Sequence, residues 1–264
     1  MIYVLYHGNC YDGFGAAWCA WKMFGDSAKY IPVSYGKPPP EMPNAKEIYI
    51  LDFSYDARTI LKLSNDANVV VLDHHKTAAE ALETLIGHHI NLFVKFDMNK
   101  SGALLAWEYF FPKTIPPLLI LHISDRDLWQ FKMPGSKEVH AALVAMPFDF
   151  QVWDGFRVDV LIETGKGCLL FEESVVKKIC DSSWIGRVGE YQVPMVNTAA
   201  HWSEVGHRLL DMYDNCPFVA SFTVMKNTVM WSLRSNGDFD VSEVAKQFGG
   251  GGHKNAAGFK SARF

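Results

Sequence analysis

Nine residues, Asn68 to Lys76, constrain this chain more than any others; they read NVVVLDHHK. Val69 to Leu72 are apolar and mostly β-branched, the pattern of a strand buried on both faces. The run ends in Asp73, His74 and His75, at the carboxyl end of a strand, where open α/β sheets place their ligand crevices. Two further segments repeat the pattern: Ile2 to Tyr6 run into His7, and Ile48 to Leu51 run into Asp52. If the three are parallel neighbours, their acids and histidines converge on one sheet edge. Oxygen and imidazole donors gathered there, with no thiolate needed, suit manganese, magnesium or zinc.

At 264 residues the chain can hold one large domain or two modest ones. A formal charge of -4 gives no footprint of a general duplex-DNA binder. It leaves small anionic substrates open, because bound divalent cations supply positive charge locally. Cys10, Cys19, Cys168, Cys180 and Cys216 are scattered and odd in number, the pattern of a reducing compartment. No apolar run reaches the ~20 residues of a membrane span, and the N-terminus does not read as a signal peptide. The expectation is a soluble, cytoplasmic protein with no membrane contact.

After the first strand, Gly8, Gly13 and Gly15 permit a tight turn, and Ala16 to Phe24 reads as a helix packed on the sheet. Asp12 lies in that turn. Taken alone it reads as a helix cap; with His7, Asp52 and His74 pointing the same way, a metal ligand is preferred. Lys37 to Pro43 is a stiff loop, Asp56 to Asn65 a returning helix and Ala78 to Ile86 another, so strand and helix alternate as in a doubly wound sheet. His88 and His89 are assigned to the surface.

Ser101 to Phe111 and Pro116 to Ser124 read as core helices, the second leading into Asp125-Arg126-Asp127. An acid at the end of a buried helix is costly unless paired or metal-bound. Asp125, nearer the expected helix end, is preferred for function, with Asp127 left to pair with Arg126 or a backbone amide. Trp129 and Phe131 are assigned to the core.

Val158 to Cys180 reads as a connecting helix, followed by a strand pair turning at Gly189 and a helix over Glu204 to Tyr213. A hairpin at Lys226-Asn227 and a helix over Val241 to Phe248, with Asp240 or Ser242 near its cap, come next. That helix feeds Gly249 to Phe259, GGGGHKNAAGF. Four glycines allow backbone amides to approach an anion, although such runs are also ordinary flexible coil. The run lacks a P-loop's GK[ST] ending, so no ATP site is read. Arg234, ending the preceding strand, is a candidate bidentate phosphate ligand, with a surface salt bridge as the competing reading.

Asp12-Gly13, Asp52, the Asp73-His74-His75 triplet, and GGGGH at Gly249 to His253 followed by AAGF at Ala256 to Phe259 occur in this order over nearly the whole chain. In this the chain resembles the DHH phosphoesterase superfamily, in the branch with a DHH-associated C-terminal domain. The resemblance implies α/β architecture: a doubly wound, mainly parallel N-terminal domain over 1–157 and a connector helix over 158–183. A smaller α/β domain over 184–264 would face the first across a cleft. It implies two divalent cations, manganese first, with magnesium, cobalt or zinc as alternatives.

It further implies His7, Asp12, Asp52, His74 and Asp125 as metal ligands, Asp52 bridging, and Asp52, His74 and His75 as catalytic. Arg234, Gly250, Gly251, Gly252 and His253 become substrate-binding residues, and Asn9, Asp73 and Asp127 supporting ones. The first motif departs from the family: where many relatives carry an acid two positions either side of Asp12, this chain has Cys10 and Phe14. One cation position therefore lacks a ligand that Asn9, Cys10 or water must replace.

The activity so implied is hydrolysis of phosphoester bonds in short single-stranded oligonucleotides or small nucleotides, by water activated between two metals. A nucleotide-binding sensor with little turnover is the alternative; pyrophosphate or polyphosphate hydrolysis fits the glycine-rich domain less well. The sequence leaves a homodimer open.

Overall fold

The structure, a computed structural model, describes residues 1–87 and 89–262; His88 lies outside them. The chain divides into two compact units, Met1–Leu169 and Leu170–Phe264.

The first unit opens with β1 (Ile2–His7), α1 (Tyr11–Phe24), β2 (Ala28–Val33) and β3 (Glu47–Leu51). It continues through α2 (Ala57–Asp66), β4 (Asn68–Asp73), α3 (Lys76–Leu82) and β5 (Leu92–Phe96). Helices α4 (Gly102–Phe110), α5 (Leu118–Asp127), α6 (Ser136–Val144) and α7 (Phe150–Asp154) follow.

The five strands form one sheet in the order β2-β1-β3-β4-β5, and every pairing is parallel. Strand side chains alternate between its two faces. Val4, Tyr6, Tyr49, Leu51 and Leu72 pack with α1, α4 and α5 on one side. Leu5, Ile48, Ile50, Val69 and Val71 pack with Ile60 of α2 and Leu82 of α3 on the other. Cover on both faces is why the central strands read as nearly unbroken apolar runs. The chain leaves β1 toward β2 on one side and returns to β3 on the other, which makes the gap between β1 and β3 a switch point.

The long helix α8 (Val158–Cys180) leads into β6 (Trp184–Val188), β7 (Tyr191–Asn197), α9 (Trp202–Met212) and β8 (Val219–Val224). The second unit closes with β9 (Thr228–Arg234), α10 (Val241–Gln247), β10 (Gly251–His253) and β11 (Ala256–Ala262). These strands form a mixed sheet, β10-β11-β9-β8-β7-β6, antiparallel except between β7 and β8. Val241, Val244 and Ala245 of α10 cover one face, and Val205 and Leu209 of α9 the other. Asp240 caps α10 by accepting from the Ser242 amide at 3.0 Å.

The glycine run differs from a flexible coil. Gly251–His253 is an edge strand paired with β11, and a Cβ on Gly252 (φ +141) would fall 2.6 Å from the Ala256 carbonyl oxygen. Glycine here lets two backbones approach closely.

Candidate metal centre

The parallel register delivers the first three site residues together. His7 is the last residue of β1, Asp52 follows β3 directly, and His74 follows the last residue of β4. Because β1, β3 and β4 are adjacent in that order, all three lie at the carboxyl edge, two of them flanking the switch point.

Asp52 is the centre of the arrangement. It is 1% exposed and adopts left-handed backbone (φ 54), a conformation unfavourable for an aspartate and typical of strained functional positions. Its Oδ2 lies 3.4 Å from His7 Nδ1 and 3.5 Å from Cys10 Sγ. Its Oδ1 lies 3.1 Å from His74 Nε2. One carboxylate thus presents an oxygen to each of two donor groups. The approach demands glycine at the start of α4: a Cβ on Gly102 would lie 2.8 Å from Asp52 Oδ1 and 2.9 Å from its Cα.

Asp12 sits in the first turn of α1, not in the preceding turn, and is 2% exposed. Its carboxylate accepts from the amides of Gly102 (2.6 Å) and Ala103 (2.9 Å), so it meets the N-terminus of α4 instead of capping its own helix. Its Oδ2 is also 3.6 Å from His74 Nε2. Each carboxylate oxygen has capacity for a second partner.

The expectation for Asp125 is corrected. Its Oδ1 accepts from the Lys132 amide at 2.8 Å, and its Oδ2 from the Met133 amide at 3.0 Å and the Ser136 hydroxyl at 2.6 Å. The carboxylate is thereby used to close the turn between α5 and α6. Helix α5 runs to Asp127, three residues beyond the expected end, and it is Asp127 whose Oδ2 stands 3.5 Å from His74 Nε2. The acid that reaches the cluster is therefore Asp127.

Asp73 is fully buried and organises the triplet. Its Oδ1 meets His75 Nδ1 at 2.7 Å and accepts from the His74 amide at 2.7 Å, while its Oδ2 accepts from Ser54 at 2.7 Å. It holds the His75 ring in place from behind, as carboxylates do for site histidines. Asn9 is exposed, in left-handed backbone (φ 55). Trp129 and Phe131 are part-exposed, not core, and stack edge-to-face 4.9 Å apart. Sequence reasoning missed Tyr35, whose ring packs edge-on against both His7 (5.5 Å) and His75 (6.0 Å). Its position just after β2, a strand the sequence hides, was the only signal.

The electrostatics are those of crowded acids. Burial opposes charge on Asp52, but its neighbours His7 and His74 hold the carboxyl well below the usual range. Burial likewise opposes charge on His74, yet Asp52, Asp127 and Asp12 push its pKa up to about 10. Burial, then the charges of Asp52 and Asp127, push Asp12 well above the usual range. Cys10 is raised first by burial and then by Asp52 and Asp12. Asp52 Oδ1 and His7 Nδ1 are sealed from solvent, and neither makes a well-aligned hydrogen bond to the histidine or carboxylate beside it. Buried acids in this state, with poorly aligned donor atoms between them, fit a divalent cation, which inverts the local electrostatics.

In the second unit, Arg234 ends β9 and pairs in register with Ala256 of β11, which pairs with His253 of β10. Arg234 and His253 therefore share one row of the sheet, two strands apart. The guanidinium is braced: Nη1 donates to Ser232 Oγ and the Leu233 carbonyl, and Nη2 to Ser203 Oγ, all at 2.9 Å.

Comparison with known proteins matches residues 190–263 to the DHHA1 domain. The chain is 34% identical to uncharacterized protein R106 of Acanthamoeba polyphaga mimivirus, over 97% of this chain and 66% of that protein. It is 23% identical to oligoribonuclease NrnB of Bacillus subtilis, over 97% of this chain and 72% of that protein. Its fold is similar to the structure of a pGpG-specific phosphodiesterase from Vibrio cholerae: TM-score 0.52, 15% identity, covering 99% of this chain and 93% of the other. The chain thus spans about two thirds to three quarters of the length of these two curated relatives.

Proposed function

We propose, from the premise that this chain belongs to the DHH phosphoesterase superfamily, that it is a metal-dependent phosphoesterase acting on short oligonucleotides. One observation carries the reading: the two oxygens of buried Asp52 face two separate donor groups. His7 and Cys10 form one, and Asp12, His74 and Asp127 the other. A shared carboxylate between two such groups is an arrangement that would hold a pair of catalytic cations close together.

The carboxylate and imidazole donors around His74 suit manganese or magnesium. Divalent cations held there supply Lewis acidity toward the phosphate and lower the pKa of water toward neutrality. The chain's own residues do the rest. Asp52 fixes the spacing of the two positions, and Asp12 ties one of them to the first amides of α4. His75, its Nδ1 held by Asp73, presents the opposite edge of its ring toward the leaving oxygen as a proton donor; burial opposes its charge, and Asp73 outweighs burial and raises its pKa. Arg234, braced by Ser203 and Ser232, holds a phosphate, with His253 and the glycine strand beside it.

The oligoribonuclease relative, similar over 97% of the chain, supports short RNA as substrate. The test is a panel of labelled RNA and DNA of two to about twenty nucleotides with manganese, with chelator, and with Asp52→Asn. Cleavage of the shortest RNAs is expected, abolished by chelator and lowered roughly 10³-fold or more by Asp52→Asn, the loss of several kcal/mol of transition-state stabilisation. Tight binding of those RNAs with no product at high enzyme would establish the sensor alternative instead.

A further inference from the structure

Cys10 occupies the N-cap position of α1, where Ser, Thr, Asp or Asn would satisfy the first helical amides. Its backbone has the extended cap conformation (φ −128, ψ 133), yet its side chain makes no capping bond. The thiol turns instead toward Asp52 Oδ2, to which it donates at 3.5 Å, beside His7 Nδ1, which lies 3.4 Å from the same oxygen. A cap gives up about 1 kcal/mol of helix stability when it is lost, so a side chain facing away from this one has another task.

The spacings, which a metal-free thiol satisfies with a hydrogen bond, also fit a cation shared by the three side chains. Tetrahedral zinc has nitrogen and oxygen ligands at about 2.0–2.2 Å and sulfur at about 2.3 Å, which sets neighbouring donors roughly 3.4 Å (N to O) and 3.6 Å (S to O) apart. The His7–Asp52 and Cys10–Asp52 separations of 3.4 and 3.5 Å match that pattern. The three donor atoms all lie within 4.8 Å of one another. Independently, Asp52 is 1% exposed, and the Nδ1 of His7 that faces its Oδ2 is sealed from solvent without a well-aligned hydrogen bond.

We propose that Cys10 is a sulfur ligand, making the His7–Cys10–Asp52 position a site for a thiophilic divalent cation, zinc or cobalt. The position formed by Asp12, Asp52, His74 and Asp127 offers only oxygen and nitrogen and takes manganese or magnesium. The two halves of the centre then differ in metal preference. This inference rests on the metal-binding reading given above, and the experiment separates the two.

Apo-protein is titrated with cobalt(II) and followed by absorption, alongside Cys10→Ser and Cys10→Asp. Wild-type protein is expected to develop both visible ligand-field bands and an intense near-ultraviolet sulfur-to-cobalt charge-transfer band. Cys10→Ser keeps ligand-field bands and loses the charge-transfer band. Calorimetric titration of Cys10→Asp should shift the ratio of zinc to manganese Kd about 10–100-fold toward manganese. Cobalt binding without a charge-transfer band, or a band that survives Cys10→Ser, overturns the thiolate ligand and leaves the metal centre standing. No cobalt binding of any kind overturns both.

Discussion

Two aspartates two residues apart on α5 perform different tasks, and single substitutions separate them. Asp125 accepts three hydrogen bonds that close the turn after the helix. Asp125→Ala should cost about 2–4 kcal/mol, because those donors lose their acceptor, while divalent-cation affinity in the folded protein stays near wild type. Asp127, with its side chain 28% exposed and 3.5 Å from His74, should show the reverse: Asp127→Ala weakens cation binding at least tenfold and leaves the melting temperature of the metal-free protein within a few degrees. Thermal denaturation and calorimetric metal titration on both variants check the pair, and the opposite ranking would return the ligand role to Asp125. Residue-scale reading of the sequence expected His7, Asp52 and His74 at one sheet edge because each follows an apolar strand, and the structure brings them together. That reading placed Asp125 there instead of Asp127 because the bonds that tie the Asp125 carboxylate to Lys132, Met133 and Ser136 come from the following turn, which no local pattern announces.

At the scale of elements, the site depends on how closely α4 approaches β3. The first two amides of α4 bind Asp12, and Gly102 leaves room for Asp52. Gly102→Ala should therefore push Asp52 out of position, costing about 1–3 kcal/mol of stability and a disproportionate loss of turnover. A crystal structure or metal titration of this variant showing Asp52 unmoved and cation affinity intact would contradict that dependence. Central strands and capped helices were legible: β1, β3 and β4 are apolar runs, and Ser101 precedes α4 as its cap. Strands β2 and β5 were not, because both are sheet edges. β2 carries Lys29 and Pro32, β5 carries Lys95, and their exposed positions break the apolar signal. The short helices α6 and α7 escaped for a different reason, being held by packing more than by their own periodicity.

For the whole molecule, the order of motifs along the chain identified the superfamily, whereas pairing of distant segments, 7 with 52 and 12 with 102, supplied the chemistry. On the proposed reading, a chain of net charge -4 would draw its capacity for phosphate from bound cations and a braced arginine instead of from a basic surface. None of the helices among the described residues is long and apolar enough to cross a membrane. The most direct test of the account is anomalous scattering, at the manganese and zinc edges, from a crystal equilibrated with both cations. Two peaks are expected, one on each side of the Asp52 carboxylate, the first contacting His7 and the second contacting His74 and Asp127. Full occupancy of the crystal with no anomalous density within reach of Asp52 would contradict it.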